Sequence, residues 1–145
     1  GSAHTRGHIY RAILEGMGYE LRRLGELAQK KTGVPLKELR VGGGGSRSDM
    51  AVQIAADVFG LPAKRMDTFE NCAKGAAIDA AVGTGLYKTF EEAVAAMTRT
   101  GREFHPHEKS HEVYDALYKD VYMKTYDAVA PLYKKMIEVT GYESM

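Results

Sequence analysis

The chain has 145 residues, 44% of them apolar and 27% charged, which is typical of one globular domain and excludes a disordered chain. Its 20 Lys and Arg against 19 Asp and Glu disfavour a strongly basic nucleic-acid-binding protein, and the single cysteine excludes an internal disulfide. No apolar run is long enough to span a membrane and no secretory signal is visible, so we expect a cytoplasmic protein.

The first predicted element is a long amphipathic helix. Gly1–Ala3 is typical of an expression scar, so we take the domain as residues 4–145. From about Thr5 or Gly7 to Lys31, apolar residues recur every three or four positions. Gly33 and Pro35 end the helix. Three glycines inside it suit close packing against another backbone: Gly16, Gly18 and Gly25.

Two short strands and a helix follow. Glu38–Val41 is a predicted strand, and the run Gly42–Gly45 separates it from a helix over Asp49–Phe59. Leu61–Met66 is a second extended segment. Strand–helix–strand order implies parallel pairing, but two strands are too few for an independent sheet. The sequence therefore predicts a helix-rich α/β fold with a short parallel sheet, whose other strands lie elsewhere.

Three further helical segments complete the chain. Cys72–Val82 is rich in small residues and predicts a tightly packed helix with a buried, inert thiol. Thr89–Met97 begins at a capping box formed by Thr89 and Glu92. A final helix, or a pair of helices, covers about Lys109–Val139 and is expected to bend near Pro131.

The glycine run at the end of the first strand is the feature most suited to binding. Glycines at a strand-to-helix turn let a ligand touch the backbone, and the helix start offers unpaired N–H groups. Ser46 or Ser48 can cap that helix or reach the ligand. The spacing matches neither a P-loop nor a dinucleotide-binding turn. A flexible linker and a purely structural turn are the alternatives.

Longer segments around this turn resemble the FGGY-type carbohydrate kinases. Val41–Asp49 and the following Gln53–Pro62 are similar to the adenosine motif of that family. Lys74–Gly85 resembles its Gly-Ala-Ala helix, and Gly7–Gly16 resembles the helix that precedes the motif. The segments stand in the family's order over nearly the whole chain, with a xylulose- or gluconate-kinase-like character.

The resemblance implies the C-terminal part of an actin/hexokinase-like (ribonuclease H-like) ATPase domain. It also implies a phosphotransferase that uses ATP and Mg²⁺ and acts on a sugar or sugar-derivative hydroxyl. On this sequence, the residues that the family uses against adenosine are Gly44, Gly45 and Ser48, and Gly43 and Asp49 lie beside them as further contributors.

The resemblance implies an incomplete catalytic apparatus as well. The family's general-base aspartate, sugar-binding residues and phosphate-binding turns belong to segments that precede the adenosine motif. We therefore expect this chain to be the C-terminal piece of a kinase, with no catalytic residue or metal ligand of its own. Alone, it is expected not to transfer phosphate. A non-catalytic nucleotide-binding or protein-interaction module of the same superfamily is the alternative.

Several other residues invite a functional interpretation. His105, His107 and His111 resemble a metal cluster, but their polar surroundings favour a solvated turn. Asp57 is expected to make a structural bond, and His8 to cap a helix. Four tyrosines at four-residue spacing suit either a nucleic-acid stacking platform or, as we expect, a packing face with solvated hydroxyls: Tyr114, Tyr118, Tyr122 and Tyr126.

Self-association is a further expectation. Exposed parallel strand edges invite pairing between chains, and the first helix carries an apolar stripe without an evident neighbour. We therefore expect a homodimer, together with ATP or ADP and a sugar substrate as the other partners, and neither nucleic acid nor membrane.

Overall fold

The computed structural model describes residues 3–142. Gly1 and Ser2, two residues of the predicted scar, lie outside the described residues. In chain order the regular elements are α1 Arg6–Thr32, β1 Leu39–Val41, a 3₁₀ turn Gly44–Arg47, α2 Asp49–Phe59, β2 Ala63–Met66, α3 Asn71–Gly83, α4 Phe90–Met97, β3 Thr100–Phe104, α5 Glu108–Leu117, a π-helical turn Tyr118–Tyr122 and α6 Met123–Thr140. No helix within residues 3–142 has both the length and the apolar character needed to cross a membrane.

The sheet is mixed and has three strands in the order β1-β2-β3. The predicted strands pair in parallel, with Leu39 opposite Ala63 and Val41 opposite Arg65. The third strand, β3, pairs antiparallel to β2 and was missed, so the prediction of a purely parallel sheet is wrong. β3 gives little sequence signal because only Phe104 of its five residues is buried.

Helix α1 confirms most of the sequence interpretation. It ends at Gly33, whose φ of 71° places it in the left-handed region that favours glycine. Gly18 lies against Val58, and a Cβ on Gly25 would lie 2.9 Å from Leu36 Cδ1, so these two glycines allow close packing, but against side chains and not against another backbone as expected. Gly16 does not, because a Cβ there would meet no atom within 4 Å.

Helix α2 lies at the centre of the molecule and buries residues on two sides. Towards the sheet, Val52 and Ala56 pack with Ala63 and Phe104. Towards α1 and α5, a second cluster contains Tyr19, Ile54, Val58, Tyr114 and Tyr118. These two apolar faces fix the start of α2 relative to the sheet.

The predicted tyrosine packing face is confirmed at three of its four positions, but the hydroxyls there are bonded to protein groups and not solvated as expected. Each of these hydroxyls donates a hydrogen bond to a glutamate of α1: Tyr114 to Glu15 at 2.7 Å, Tyr118 to Glu26 at 2.8 Å and Tyr122 to Glu20 at 2.7 Å. Burial, together with the bond to Glu26, raises the pKa of Tyr118 to about 12. Tyr126 is not part of this packing face, since it is 71% exposed.

The face of α1 that meets α5 is polar, and its apolar stripe points outward. Arg22 is buried between the two helices although its residue type and spacing indicate an exposed face. The outward stripe consists of large apolar side chains that are 41–60% exposed: Ile9, Tyr10, Ile13, Met17, Leu21, Leu24 and Leu27. The sequence correctly indicates that this stripe is left without a covering neighbour among residues 3–142, but it does not indicate the buried arginine.

Helix α3 differs from the prediction, whereas α5 and α6 form the pair of helices that was one of the two predicted alternatives. Only Ile78 and Ala81 are buried in α3, so its tight packing is wrong, and Cys72 is exposed rather than buried. The physical reason is that one face of α3 packs on α4 while the other small residues face solvent. The long C-terminal helix is interrupted by the π-helical turn Tyr118–Tyr122, and Pro131 lies inside α6.

The cap of α4 is largely as predicted. Thr89 Oγ1 accepts a hydrogen bond from the backbone N–H of Glu92 at 3.2 Å. The Glu92 carboxylate in turn accepts from the backbone N–H of Lys88 at 3.0 Å, one residue before the expected partner.

Candidate functional site

The glycine turn lies at the edge of the sheet where β1 and β2 both end. These two strands are parallel, so the turn after Val41 and the loop after Met66 leave the sheet on the same side. Helices α2 and α3 begin directly after these two loops. Ligands of open α/β sheets bind at this edge, in the crevice outside the carboxyl ends of the strands.

The four glycines of the turn differ in whether the structure would tolerate a side chain at their position. A Cβ on Gly42 would lie 1.7 Å from Asn71 Nδ2. Gly43 has φ 82° and ψ −179°, which side chains rarely allow. Gly44 and Gly45 have neither constraint, because both lack a positive φ and a Cβ on either would meet no atom within 4 Å. Their backbone is therefore open to an approaching molecule.

Two serines hold the turn in shape. Ser46 is buried, and its hydroxyl donates to the carbonyl oxygen of Gly43 at 2.7 Å. Ser48 caps α2, since its Oγ accepts from the backbone N–H of Ala51 at 3.3 Å. That bond uses Ser48 as an acceptor and leaves its hydroxyl hydrogen available as a donor.

Asp49 connects the start of α2 to the sheet. Its carboxylate binds Arg65 of β2 at 2.5 Å and also pairs with Arg102 of β3. The hydrogen bond from Arg65 holds the pKa of Asp49 below its usual range, aided by the charge of Arg102. Both guanidinium groups lie over the ring of Phe104. Asp49 thus remains charged at neutral pH and fixes the position of the helix start beside the glycine turn.

The loop between β2 and α3 supplies neighbours that the sequence interpretation missed. Arg47 of the turn lies over the ring of Phe69, with its guanidinium carbon 5.0 Å from the ring centre, and 3.8 Å separates its Nη2 from Glu70 Oε1. Asn71, the first residue of α3, lies against Gly42. The parallel pairing of β1 and β2 is the signal that would have identified this loop as the second border of the site.

The other candidate residues form a separate structural cluster at the far end of α2. The buried carboxylate of Asp57 accepts from the backbone N–H of His107 at 2.7 Å and from Gln53 at 2.9 Å, which confirms its structural role. His111 Nδ1 lies 2.8 Å from the carbonyl oxygen of Asp57. Within residues 3–142, no three His, Cys, Asp or Glu side chains are arranged to hold a metal ion.

His8 has the capping role expected from the sequence. Its Nδ1 lies 3.1 Å from the backbone nitrogen of Thr5, which donates to it at the start of α1.

One cavity of the structure lies away from the glycine turn. It measures about 660 Å³ and lies between α1 and α6, where Glu20 and Arg23 face Tyr122, Tyr126 and Tyr133. At the glycine turn, Gly44 and Gly45 face open space.

Comparisons with known protein families and with individual proteins point to the same family. The family model described as "FGGY family of carbohydrate kinases, C-terminal domain" matches residues 1–84. An uncharacterized sugar kinase of Escherichia coli is 39% identical over 132 residues, which are 90% of this chain and 27% of the relative. A glycerol kinase of Saccharolobus islandicus is 36% identical over 114 residues, which are 79% of this chain and 22% of the relative.

A solved structure gives the same result for the fold. The xylulose kinase of Rhodospirillum rubrum matches with a TM-score of 0.75 and 32% identity, over 92% of this chain and 27% of that one. The helix-rich fold of this chain is therefore that of an actin/hexokinase-like kinase domain. The chain spans about a quarter of the length of the relatives it matches.

Proposed function

This chain belongs to the FGGY family of carbohydrate kinases, and from that membership we propose that it binds the adenosine part of ATP. The kinase it serves would phosphorylate a hydroxyl of a sugar or sugar derivative, in the cytoplasm. The observation that carries the proposal is the open backbone of Gly44 and Gly45 beside the start of α2.

The chemistry of the turn suits a nucleoside better than a phosphate. Gly44 and Gly45 present flat, uncharged backbone against which a ring can lie. Ser48 can donate its hydroxyl hydrogen to an acceptor on a base edge. Gly43 gives the turn its shape, and Asp49 contributes by holding the helix start while its charge is neutralised by Arg65 and Arg102.

Phosphoryl transfer requires more than this half-site supplies. It needs positioned phosphates, Mg²⁺ and a group that orients the attacking hydroxyl. The match covers only 22–27% of the length of these relatives, and we propose that the groups for Mg²⁺, the phosphates and the sugar come mainly from residues corresponding to their unmatched parts.

Calorimetric titration of ADP into the 145-residue chain tests the binding proposal. We expect weak binding, with a Kd on the order of 1 mM or above, equivalent to about −4 kcal/mol, because only part of the nucleotide is contacted. ATP should bind about as tightly as ADP, since the contacts proposed here are to adenosine. An absence of heat with both nucleotides at about 10 mM, after subtraction of dilution heats, would contradict the proposal.

A coupled ADP-release assay tests the absence of turnover. With ATP, Mg²⁺ and glycerol, xylulose or gluconate as acceptors, the 145-residue chain is expected to release no ADP above the rate without acceptor. A full-length relative serves as the positive control in the same assay. Acceptor-dependent release by this chain would show that the catalytic groups are present after all.

We also propose that the 145-residue chain forms a homodimer through the apolar stripe of α1. Ile13 and Met17, at the middle of this stripe, are 56% and 58% exposed, and burial of such side chains favours association. Light scattering should give about twice the chain mass of 15.9 kDa, and the Ile13→Glu/Met17→Glu variant should give a monomer with an unchanged circular dichroism spectrum. A monodisperse monomer for the unaltered chain would disprove dimer formation.

A further inference from the structure

The inference concerns Asn71, which the family resemblance did not mark as a binding residue. Asn71 is the first residue of α3 and is exposed at the same edge of the sheet as the glycine turn. Its side-chain amide lies directly on Gly42, so closely that a Cβ there would come within 1.7 Å of Nδ2, 2.8 Å of Cγ and 3.1 Å of Oδ1.

Gly42 does not need to be glycine because of a positive φ, unlike Gly43. All three atoms closest to a Cβ at this position belong to the Asn71 amide group. The missing side chain of Gly42 therefore has one structural consequence, which is to let this amide lie against the turn.

The amide has no partner within the described part of the protein. Within residues 3–142, the side chain of Asn71 makes no hydrogen bond, although it has two donor hydrogens and a carbonyl oxygen. Other polar side chains around the turn are engaged: Ser46 with Gly43, Ser48 with Ala51, and Asp49 with two arginines. Asn71 thus lies against Gly42, two residues before the open Gly44, and makes no side-chain hydrogen bond to the residues that the structure describes.

We propose that Asn71 is a further nucleoside-binding residue, and that the lack of a side chain at Gly42 brings its amide to the site. This inference rests on the proposed adenosine-binding function. An amide is both donor and acceptor, as are the ribose hydroxyls and the adenine edge, so it matches the nucleoside. A phosphate oxygen offers only acceptors.

The test measures adenosine and ADP affinities of the 145-residue chain by NMR titration. Asn71→Ala should weaken both ligands equally, by about three- to ten-fold, as expected for one lost hydrogen bond. Gly42→Ala should weaken them by the same factor, because its Cβ forces the flexible amide aside. The double variant should bind no more weakly than either single variant, since both changes remove one contact.

Two controls separate this contact from a general loss of structure. The thermal midpoint of each variant should stay close to that of the unaltered chain. Gly75→Ala, which adds a methyl group to α3 where nothing lies within 4 Å, should bind both ligands normally.

Normal binding by Asn71→Ala, a loss for ADP alone, or multiplied losses in the double variant would each overturn the inference and leave the proposed function intact. Failure of the unaltered chain to bind either ligand would overturn both.

Discussion

Replacing Arg22 with alanine is expected to lower the free energy of unfolding by roughly 1–3 kcal/mol, the usual cost of leaving a buried hydrogen-bonding group without its partner. Arg22 connects three helices. Its Nη1 donates to the carbonyl oxygen of Val58 at 3.0 Å, and its Nη2 donates to Asp115 at 2.6 Å. Its Nε donates to Glu26 at 3.0 Å. The alanine variant therefore leaves the carbonyl oxygen of Val58 without this donor, while Glu26 keeps only the Tyr118 hydroxyl and Asp115 keeps only Lys119.

Stacking adds to this effect. The guanidinium carbon of Arg22 lies 4.2 Å from the centre of the Tyr118 ring, which is itself buried. Arg22→Lys keeps the charge but cannot make the three directed bonds, so it should lie between the alanine variant and the unaltered chain. Urea unfolding followed by circular dichroism measures the difference.

Arg23→Ala provides the matched control on the same helix. Arg23 is exposed, and its ion pair with Glu20 is a surface contact on α1. A much smaller loss is therefore expected. Equal losses for Arg22→Ala and Arg23→Ala would show that the buried network does not hold α1 against α2 and α5.

Replacing Gly44 with valine is expected to abolish nucleotide binding while leaving the fold intact. A Cβ on Gly44 would meet no protein atom within 4 Å, and Gly44 has no positive φ, so the isopropyl group is accommodated in the free chain. The same group occupies the space in which the nucleoside ring is proposed to lie. We expect at least a ten-fold loss of affinity, which corresponds to about 1.4 kcal/mol or more, and a thermal midpoint within a few degrees of that of the unaltered chain.

Two other glycine-to-valine variants serve as controls for this prediction. Gly16→Val places the same side chain on the open side of α1, away from the turn, and should bind ADP normally. Gly43→Val falls at φ 82° and should lower both stability and binding, because the backbone strain is of order 1–3 kcal/mol. Normal ADP binding by Gly44→Val, measured by calorimetry, would remove the open glycine backbone from the binding site.

Local signals made part of the fold predictable. The three- and four-residue spacing of α1 and its Gly33 end are read directly from the chain, as are β1, β2 and the Ser48 cap of α2. These features depend on residues close together in sequence. Strand β3 was missed because it is mostly polar, and its pairing with β2 depends on a contact about 40 positions away.

The environment of single side chains was less predictable. Arg22 has the spacing of an exposed residue and becomes buried because Asp115, Glu26 and Val58 provide partners on three elements. The small residues around Cys72 suggest a tightly packed helix, yet Cys72 lies on a side of α3 that faces solvent. For the site, the glycine turn was found from sequence, whereas Asn71, Phe69 and Arg65 join it only through the parallel pairing of β1 and β2.

The most direct test of the adenosine-binding claim is an amide NMR map of the 145-residue chain titrated with adenosine. The account predicts saturable shifts centred on the amides of Gly43–Asp49, with little change along α1, α5 and α6. Adenosine lacks phosphate, so such shifts would report the nucleoside contact alone. An unchanged spectrum at about 10 mM adenosine, or shifts confined to the cavity beside Tyr122 and Tyr133, would contradict the account.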